Sequence, residues 1–204
     1  TENLIIASCL AAGRTILKNC AIEPEIKDLT NFLTKAGAKI KWTGKRRVQI
    51  DGVKSLNEIS YNVMGDRIEC GTFCVAATLT AGDLNIKGFN PKLIRTELNM
   101  LRKIGARIIT KKNQIFIKGA KNLKNLKNVI TKEYPAFPTD LQAQFMVLLC
   151  KANGRSTITE SIFENRFMHV AELNRMGAKI SINGNKAIVQ GNVIFAPAEL
   201  MATD

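Results

Sequence analysis

The sequence predicts a mixed α/β fold built from three copies of one unit, each roughly 70 residues long, with the element order β-α-β-α-β-β. Three observations predict it. The segment Leu33-Thr34-Lys35-Ala36-Gly37-Ala38-Lys39-Ile40 returns as Leu101-Arg102-Lys103-Ile104-Gly105-Ala106-Arg107-Ile108 and again as Leu173-Asn174-Arg175-Met176-Gly177-Ala178-Lys179-Ile180. Upstream of each copy, an apolar helical stretch stops at a glycine (Gly13, Gly82 or Gly154) and passes into a β-branched run. Downstream, two short alternating strands joined by a polar turn end at Gly52, Gly119 and Gly191.

The elements follow in order from local chemistry. The second helix of each repeat is supported by amphipathic spacing, as in Ile26, Leu29, Phe32, Leu33 and Ala36, or Leu93, Ile94, Leu98, Leu101 and Ile104. Gly37, Gly105 and Gly177 stand where a helix ends in a left-handed residue, which a side chain without Cβ adopts at no steric cost. Val48-Gln49-Ile50 and Ile115-Phe116-Ile117 carry the alternation or β-branching of strands. The first helix of each following repeat is headed by an aspartate: Asp66, Asp140, and Asp204 at the last position of the chain. Aspartate is a good helix N-cap, so capping is the plain expectation at all three. The same geometry also sets a carboxylate at the rim of the repeat beside backbone N–H groups suited to anions. Thr1 falls inside the first helix of repeat one and Asp204 heads a helix not included. The expectation is therefore a segment of a longer protein, truncated through a repeat at both ends.

Composition narrows the function classes. With 204 residues, 46% apolar and 23% charged, the chain is neither disordered nor fibrous. No apolar run is long enough to span a bilayer, and Thr1-Glu2-Asn3-Leu4 lacks a basic leader, so the expectation is a cytoplasmic protein with no membrane partner. Five cysteines without a Cys-x-x-Cys pair fit a reducing compartment. Cys70 and Cys74 share a helix face but lack further ligands for a metal, so no metal is expected. The net charge of +13 favours an anionic partner. Lysine outnumbers arginine, and nine Phe, two Tyr and one Trp leave little for base stacking. Lys45-Arg46-Arg47 and the Lys121 to Lys127 stretch read first as solvated surface, with a basic nucleic-acid-binding module as an alternative.

Two segments exceed packing needs. Tyr134-Pro135-Ala136-Phe137-Pro138-Thr139-Asp140-Leu141-Gln142-Ala143-Gln144-Phe145 approaches a helix along a proline-stiffened path. Thr159-Glu160-Ser161-Ile162-Phe163-Glu164-Asn165-Arg166-Phe167-Met168-His169 is dense in polar groups directly after a strand. On these segments, and along the full length from Glu23-Pro24-Glu25-Ile26 and Asp66-Arg67-Ile68-Glu69 to Met201-Ala202-Thr203-Asp204, the chain resembles the enolpyruvyltransferase family. Within it, Phe-Pro-Thr-Asp and Glu-Asn-Arg-Phe-Met-His resemble the branch that uses UDP-N-acetylglucosamine rather than the shikimate-pathway branch, which stays as an alternative. Ala171, where proline is common, and the lysine-rich 121–127 stretch depart from the pattern away from its functional positions.

The resemblance implies two domains of inside-out α/β barrel type, each of three repeats around a pseudo-threefold axis. Residues 1–64 would form the last repeat of the first domain and 65–204 two repeats of the second, with an active site in the cleft between domains. The implied reaction moves the enolpyruvyl group of phosphoenolpyruvate to the 3′-hydroxyl of UDP-N-acetylglucosamine, releases phosphate, needs no cofactor or metal, and opens peptidoglycan synthesis for cell-wall growth and division. By matched position, Asp140 would be the catalytic base and would bind substrate together with Ile162, while Glu23, Asp66, Arg67, Phe163, Arg166 and Asp204 would line the cleft. The family's loop cysteine has no counterpart, and none of the five cysteines takes its role; His169 reads as structural. The isolated 204 residues are expected to be inactive.

Overall fold

The computed structural model describes residues 1–201 and divides into two compact units, Thr1–Met64 and Gly65–Asp204. The first unit contains α1 (Glu2–Cys9), β1 (Arg14–Lys18), α2 (Pro24–Lys35), β2 (Lys39–Gly44) and β3 (Arg47–Asp51). Its sheet has the order β1-β3-β2, with β3 antiparallel to both neighbours. Helix α2 begins on Pro24, whose missing N–H and fixed φ suit the first helical turn. It turns Ile26 and Leu33 into a core shared with Ile5, Cys9, Val48 and Ile50. Burying each such side chain contributes roughly 1.5–3 kcal/mol.

The second unit contains two repeats. One comprises α3 (Arg67–Leu79), β4 (Asp83–Lys87), α4 (Arg95–Ile104), β5 (Arg107–Lys111) and β6 (Gln114–Lys118), with a 3-10 turn at Pro91–Ile94. The other comprises β7 (Asn128–Ile130), α5 (Gln142–Lys151), β8 (Arg155–Thr159), α6 (His169–Arg175), β9 (Lys179–Asn183) and β10 (Lys186–Gln190). Their sheets run β4-β6-β5 and β7-β8-β10-β9. In each, the hairpin's second strand lies centrally and antiparallel to its neighbours, as β3 does, while β7 adds to β8 in parallel. Facing residues of α3, α4 and α5, among them Cys74, Leu98, Leu101, Phe145 and Leu149, form one continuous core.

The expected repetition is visible bond by bond. The N–H groups of Gly52, Gly119 and Gly191 donate to the carbonyls of Gly13, Gly82 and Gly154 at 2.9, 2.9 and 2.8 Å. A Cβ on any of those three donors would collide with the carbonyl oxygen of Ala11, Ala77 or Ala152, so glycine is required where the last strand crosses the helix end. Gly37, Gly105 and Gly177 have φ of 104°, 127° and 96°, the left-handed ends expected of them.

Two expectations need correction. Among the described residues an opening strand precedes the first helix of a repeat only as β7, and none precedes α3. The segment before α3 is held elsewhere: Asn57 N–H donates to Ala36 O, Tyr61 Oη donates to Asp28 Oδ1 at 2.8 Å, and Met64 N–H to Asp28 Oδ2 at 3.2 Å. Its backbone and side chains thus serve the first compact unit instead of adding to the β4 sheet.

The second correction concerns the aspartates. Asp66 does cap α3, accepting from Ile68 N–H at 2.7 Å and Glu69 N–H at 3.1 Å. Asp140 caps nothing with its side chain. It sits within a 3-10 turn, Thr139–Leu141, so that Leu141 occupies the position before α5, and the Asp140 carboxylate accepts from Arg166 instead. Asp204 lies outside the described residues.

Candidate active site

The path into the Asp140 turn is fixed by residues on both sides of it. Lys132 N–H donates to Phe137 O at 2.8 Å, closing a loop, and Phe137 is buried edge-on against Phe145 of α5, with ring centroids 4.8 Å apart. Thr96 Oγ1 donates to Pro135 O at 2.8 Å. The peptide before Pro135 is cis. Thr139 and Leu141 are buried while Asp140 between them is exposed, so the turn holds its neighbours inward and offers one carboxylate outward.

Arg166 meets that carboxylate: its Nη2 donates to Asp140 Oδ1 at 3.2 Å, with both side chains partly open to water. The guanidinium also lies 5.2 Å from the centre of the Phe163 ring, a cation–π contact that limits where it can swing. Thr139, Asp140, Gln142, Gln144, Phe163, Arg166 and His169 help line a groove of about 440 Å³. On the other side of the 160–168 segment, Ile162, Phe163, Arg166, Ile182 and Asn185 help line a second opening of about 720 Å³. The structure therefore brings Asp140, Phe163 and Arg166 to one groove and Ile162 to its neighbour.

The remaining expected residues fall elsewhere. Asp66 uses its carboxylate as the α3 cap, and Arg67 is buried at the start of that helix, 5.9 Å from the Tyr134 ring centre. Neither lines either opening. Glu23 belongs to the first compact unit, where it occupies the N-cap position of α2 without a side-chain cap bond. His169 heads α6; burial first, and then the positive charge of Arg166, hold its imidazole below the usual range. All five cysteines are buried and reduced, as expected of core residues.

One residue escaped sequence reasoning. Glu160, directly after β8, is 2% exposed, and its carboxylate accepts four hydrogen bonds. They come from Thr131 Oγ1 at 2.7 Å, Thr139 Oγ1 at 2.8 Å, Ile162 N–H at 2.9 Å and Phe163 N–H at 3.3 Å. Burial alone pushes its carboxyl up, but the bonds from Thr131, Ile162, Thr139 and Phe163 outweigh it and hold the group below the usual carboxylate range. A glutamate closing a strand is the only local signal, and it is indistinguishable from an exposed one.

An exposed carboxylate paired with an arginine on a groove's rim suits proton removal from a hydroxyl next to an anionic group. A family model described as EPSP synthase (3-phosphoshikimate 1-carboxyvinyltransferase) matches residues 1–204. The chain belongs to this family. Within the EPSP synthase family, it is 66% identical over 204 residues to the UDP-N-acetylglucosamine 1-carboxyvinyltransferase of Pelagibacter ubique (strain HTCC1062), covering 100% of this chain and 49% of that protein. It is 48% identical to the enzyme of the same name from Geotalea uraniireducens (strain Rf4), again covering 100% and 49%. The chain spans about half the length of the curated relatives it matches. The crystal structure of the enolpyruvyl transferase NikO from Streptomyces tendae superposes with a TM-score of 0.80 at 22% identity, over 92% of this chain and 45% of that one, and so shares the fold. Among the described residues no helix is long and apolar enough to cross a membrane.

Proposed function

We propose that the chain is part of a cytoplasmic UDP-N-acetylglucosamine enolpyruvyl transferase, an enzyme of peptidoglycan synthesis. The 66% identity over every residue to a relative of that name supports this reading above all, and the Asp140–Arg166 pair on the groove's rim supports it chemically. The family description names the shikimate branch, but the relatives at 66% and 48% carry the sugar-nucleotide name. In this reading residues 1–64 close one domain of an inside-out barrel pair and 65–204 supply two repeats of the other.

Asp140 takes the proton from the 3′-hydroxyl of UDP-N-acetylglucosamine as that oxygen bonds to C2 of phosphoenolpyruvate and C3 gains a proton. In the second half of the reaction C3 loses a proton, the C2–O bond to phosphate breaks, and phosphate departs with the electron pair. Asp140 is an acceptor within reach of solvent, as a base must be to meet a substrate hydroxyl. Arg166 presents a planar fork for the carboxylate or phosphate of the anionic substrate, and its contact with Phe163 lowers the entropy lost in holding it. Ile162 supplies apolar contact to the sugar nucleotide. The net charge of +13 favours encounter with two anionic substrates.

The test is phosphate release from phosphoenolpyruvate and UDP-N-acetylglucosamine by the full-length chain carrying this segment. Asp140→Ala is expected to lower turnover by about 10²–10⁴-fold. Normal turnover in that variant removes Asp140 as the base, and release driven by shikimate 3-phosphate instead moves the reading to the other branch.

A further inference from the structure

We infer that Glu160 is a positioning residue that sets the location of Asp140 and of the Ile162–Phe163 backbone together. The inference rests on the proposed function and deepens it. Its basis is connectivity. Glu160 Oε2 accepts from the hydroxyl of Thr139, the residue bonded directly to Asp140. Its other oxygen, Oε1, accepts from Thr131 after β7 and from the N–H groups of Ile162 and Phe163. One carboxylate thus links three chain segments, two of which carry residues at the groove and its neighbour.

All four of these partners are neutral donors, two hydroxyls and two backbone N–H groups. Partners that must be satisfied at fixed directions constrain position more than a mobile ion pair does. The residue is itself held from behind. Glu160 N–H donates to Asn185 O at 2.9 Å, and Asn185 Nδ2 donates to Glu160 O at 3.0 Å, tying it to the β9–β10 turn. Thr131 is doubly engaged, since its Oγ1 also accepts from Ser161 N–H at 2.9 Å. Bonds spanning 21 to 30 residues therefore tie the Thr131 and Thr139 segments to the Glu160–Ser161 segment.

A base displaced by about 1 Å loses on the order of 10²-fold in rate. Glu160→Ala in the full-length chain is expected to lower kcat per folded molecule by about that factor, with the folded fraction taken from circular dichroism. The loss is expected on kcat, not on the KM for phosphoenolpyruvate. Glu160→Gln keeps an acceptor at Oε1 and turns an amide donor toward Thr139, whose hydroxyl also accepts, so it is expected to recover most of the loss. If the alanine variant does not fold, Thr139→Val removes the single link to the Asp140 turn and is expected to lower kcat by about tenfold. Wild-type kcat per folded molecule in Glu160→Ala or Thr139→Val overturns the inference. So does a glutamine variant as slow as the alanine one, because charge and not position then matters. A full-length wild-type chain that releases no phosphate overturns the proposed function itself.

Discussion

Arg166 Nη2 reaches Asp140 Oδ1 at 3.2 Å from a segment 26 residues further along the chain. Each partner is partly exposed, so the pair stabilises the fold by at most about 1 kcal/mol while leaving both charges available at the groove.

That arrangement predicts a separation of stability from turnover. Arg166→Ala is expected to change the unfolding free energy of the chain by less than about 1 kcal/mol in urea titration. Under the proposed function, the same change in the full-length chain is expected to lower phosphate release by about 10²-fold, because a charge offered to the anionic substrate is lost. Arg166→Lys is expected to restore only part, since an ammonium offers a point charge and no fork.

The glycines that end each repeat make a packing prediction. In Gly191→Ala the new Cβ meets the Ala152 carbonyl, and in Gly52→Ala that of Ala11, both of them backbone atoms that cannot rotate away. Each is expected to cost about 2–3 kcal/mol, read as a lower urea midpoint. Gly44→Ala, whose Cβ would find only the Arg47 Cβ at 3.6 Å, is expected to change stability by about 0.5 kcal/mol or less.

Glu97 in α4 predicts a pH dependence. It is 3% exposed, and burial pushes its carboxyl up to about 7, against the opposing pull of its backbone hydrogen bond and of Arg67. The folded chain therefore holds a proton that the unfolded chain releases near 4.5, and stability falls as pH rises through 7. A shift from 4.5 to about 7 is worth on the order of 3 kcal/mol. Glu97→Gln is expected to flatten this decline, matching wild type near pH 4 and exceeding it at pH 8 in thermal unfolding.

The thiols predict silence. Burial pushes Cys150 up to about 11, and a hydrogen bond with Cys74 followed by burial raises Cys70 as well, so little thiolate is present at neutral pH. Native chain is expected to react negligibly with an aromatic disulfide reagent at pH 8, and all five cysteines to react once guanidinium unfolds it.

Much of this was legible in sequence because its causes are local. Gly37, Gly105 and Gly177 mark helix ends through a backbone angle that only the residue itself determines. The strand order recurs because each hairpin carries the same alternation and turn. Asp66 was readable as a cap, since its acceptors and donors lie within three residues. Asp140 shares that local pattern and was misread, because a 3-10 turn shifts the helix start by one residue and frees the carboxylate.

By itself, then, the sequence determined three repeats and the glycines that end their helices and last strands, which are written in residue type and spacing, while Asp140, Ile162 and Arg166 came only from the resemblance to the enolpyruvyltransferase family. Only the tertiary structure decided that Asp140 faces Arg166 and not its own helix, that Arg67 is buried beside the Tyr134 ring, and that Glu160 joins three segments. The side-chain pairs Thr131–Glu160, Thr139–Glu160 and Arg166–Asp140 are 21 to 29 residues apart, and no helical or strand period encodes which donors will converge on one acceptor.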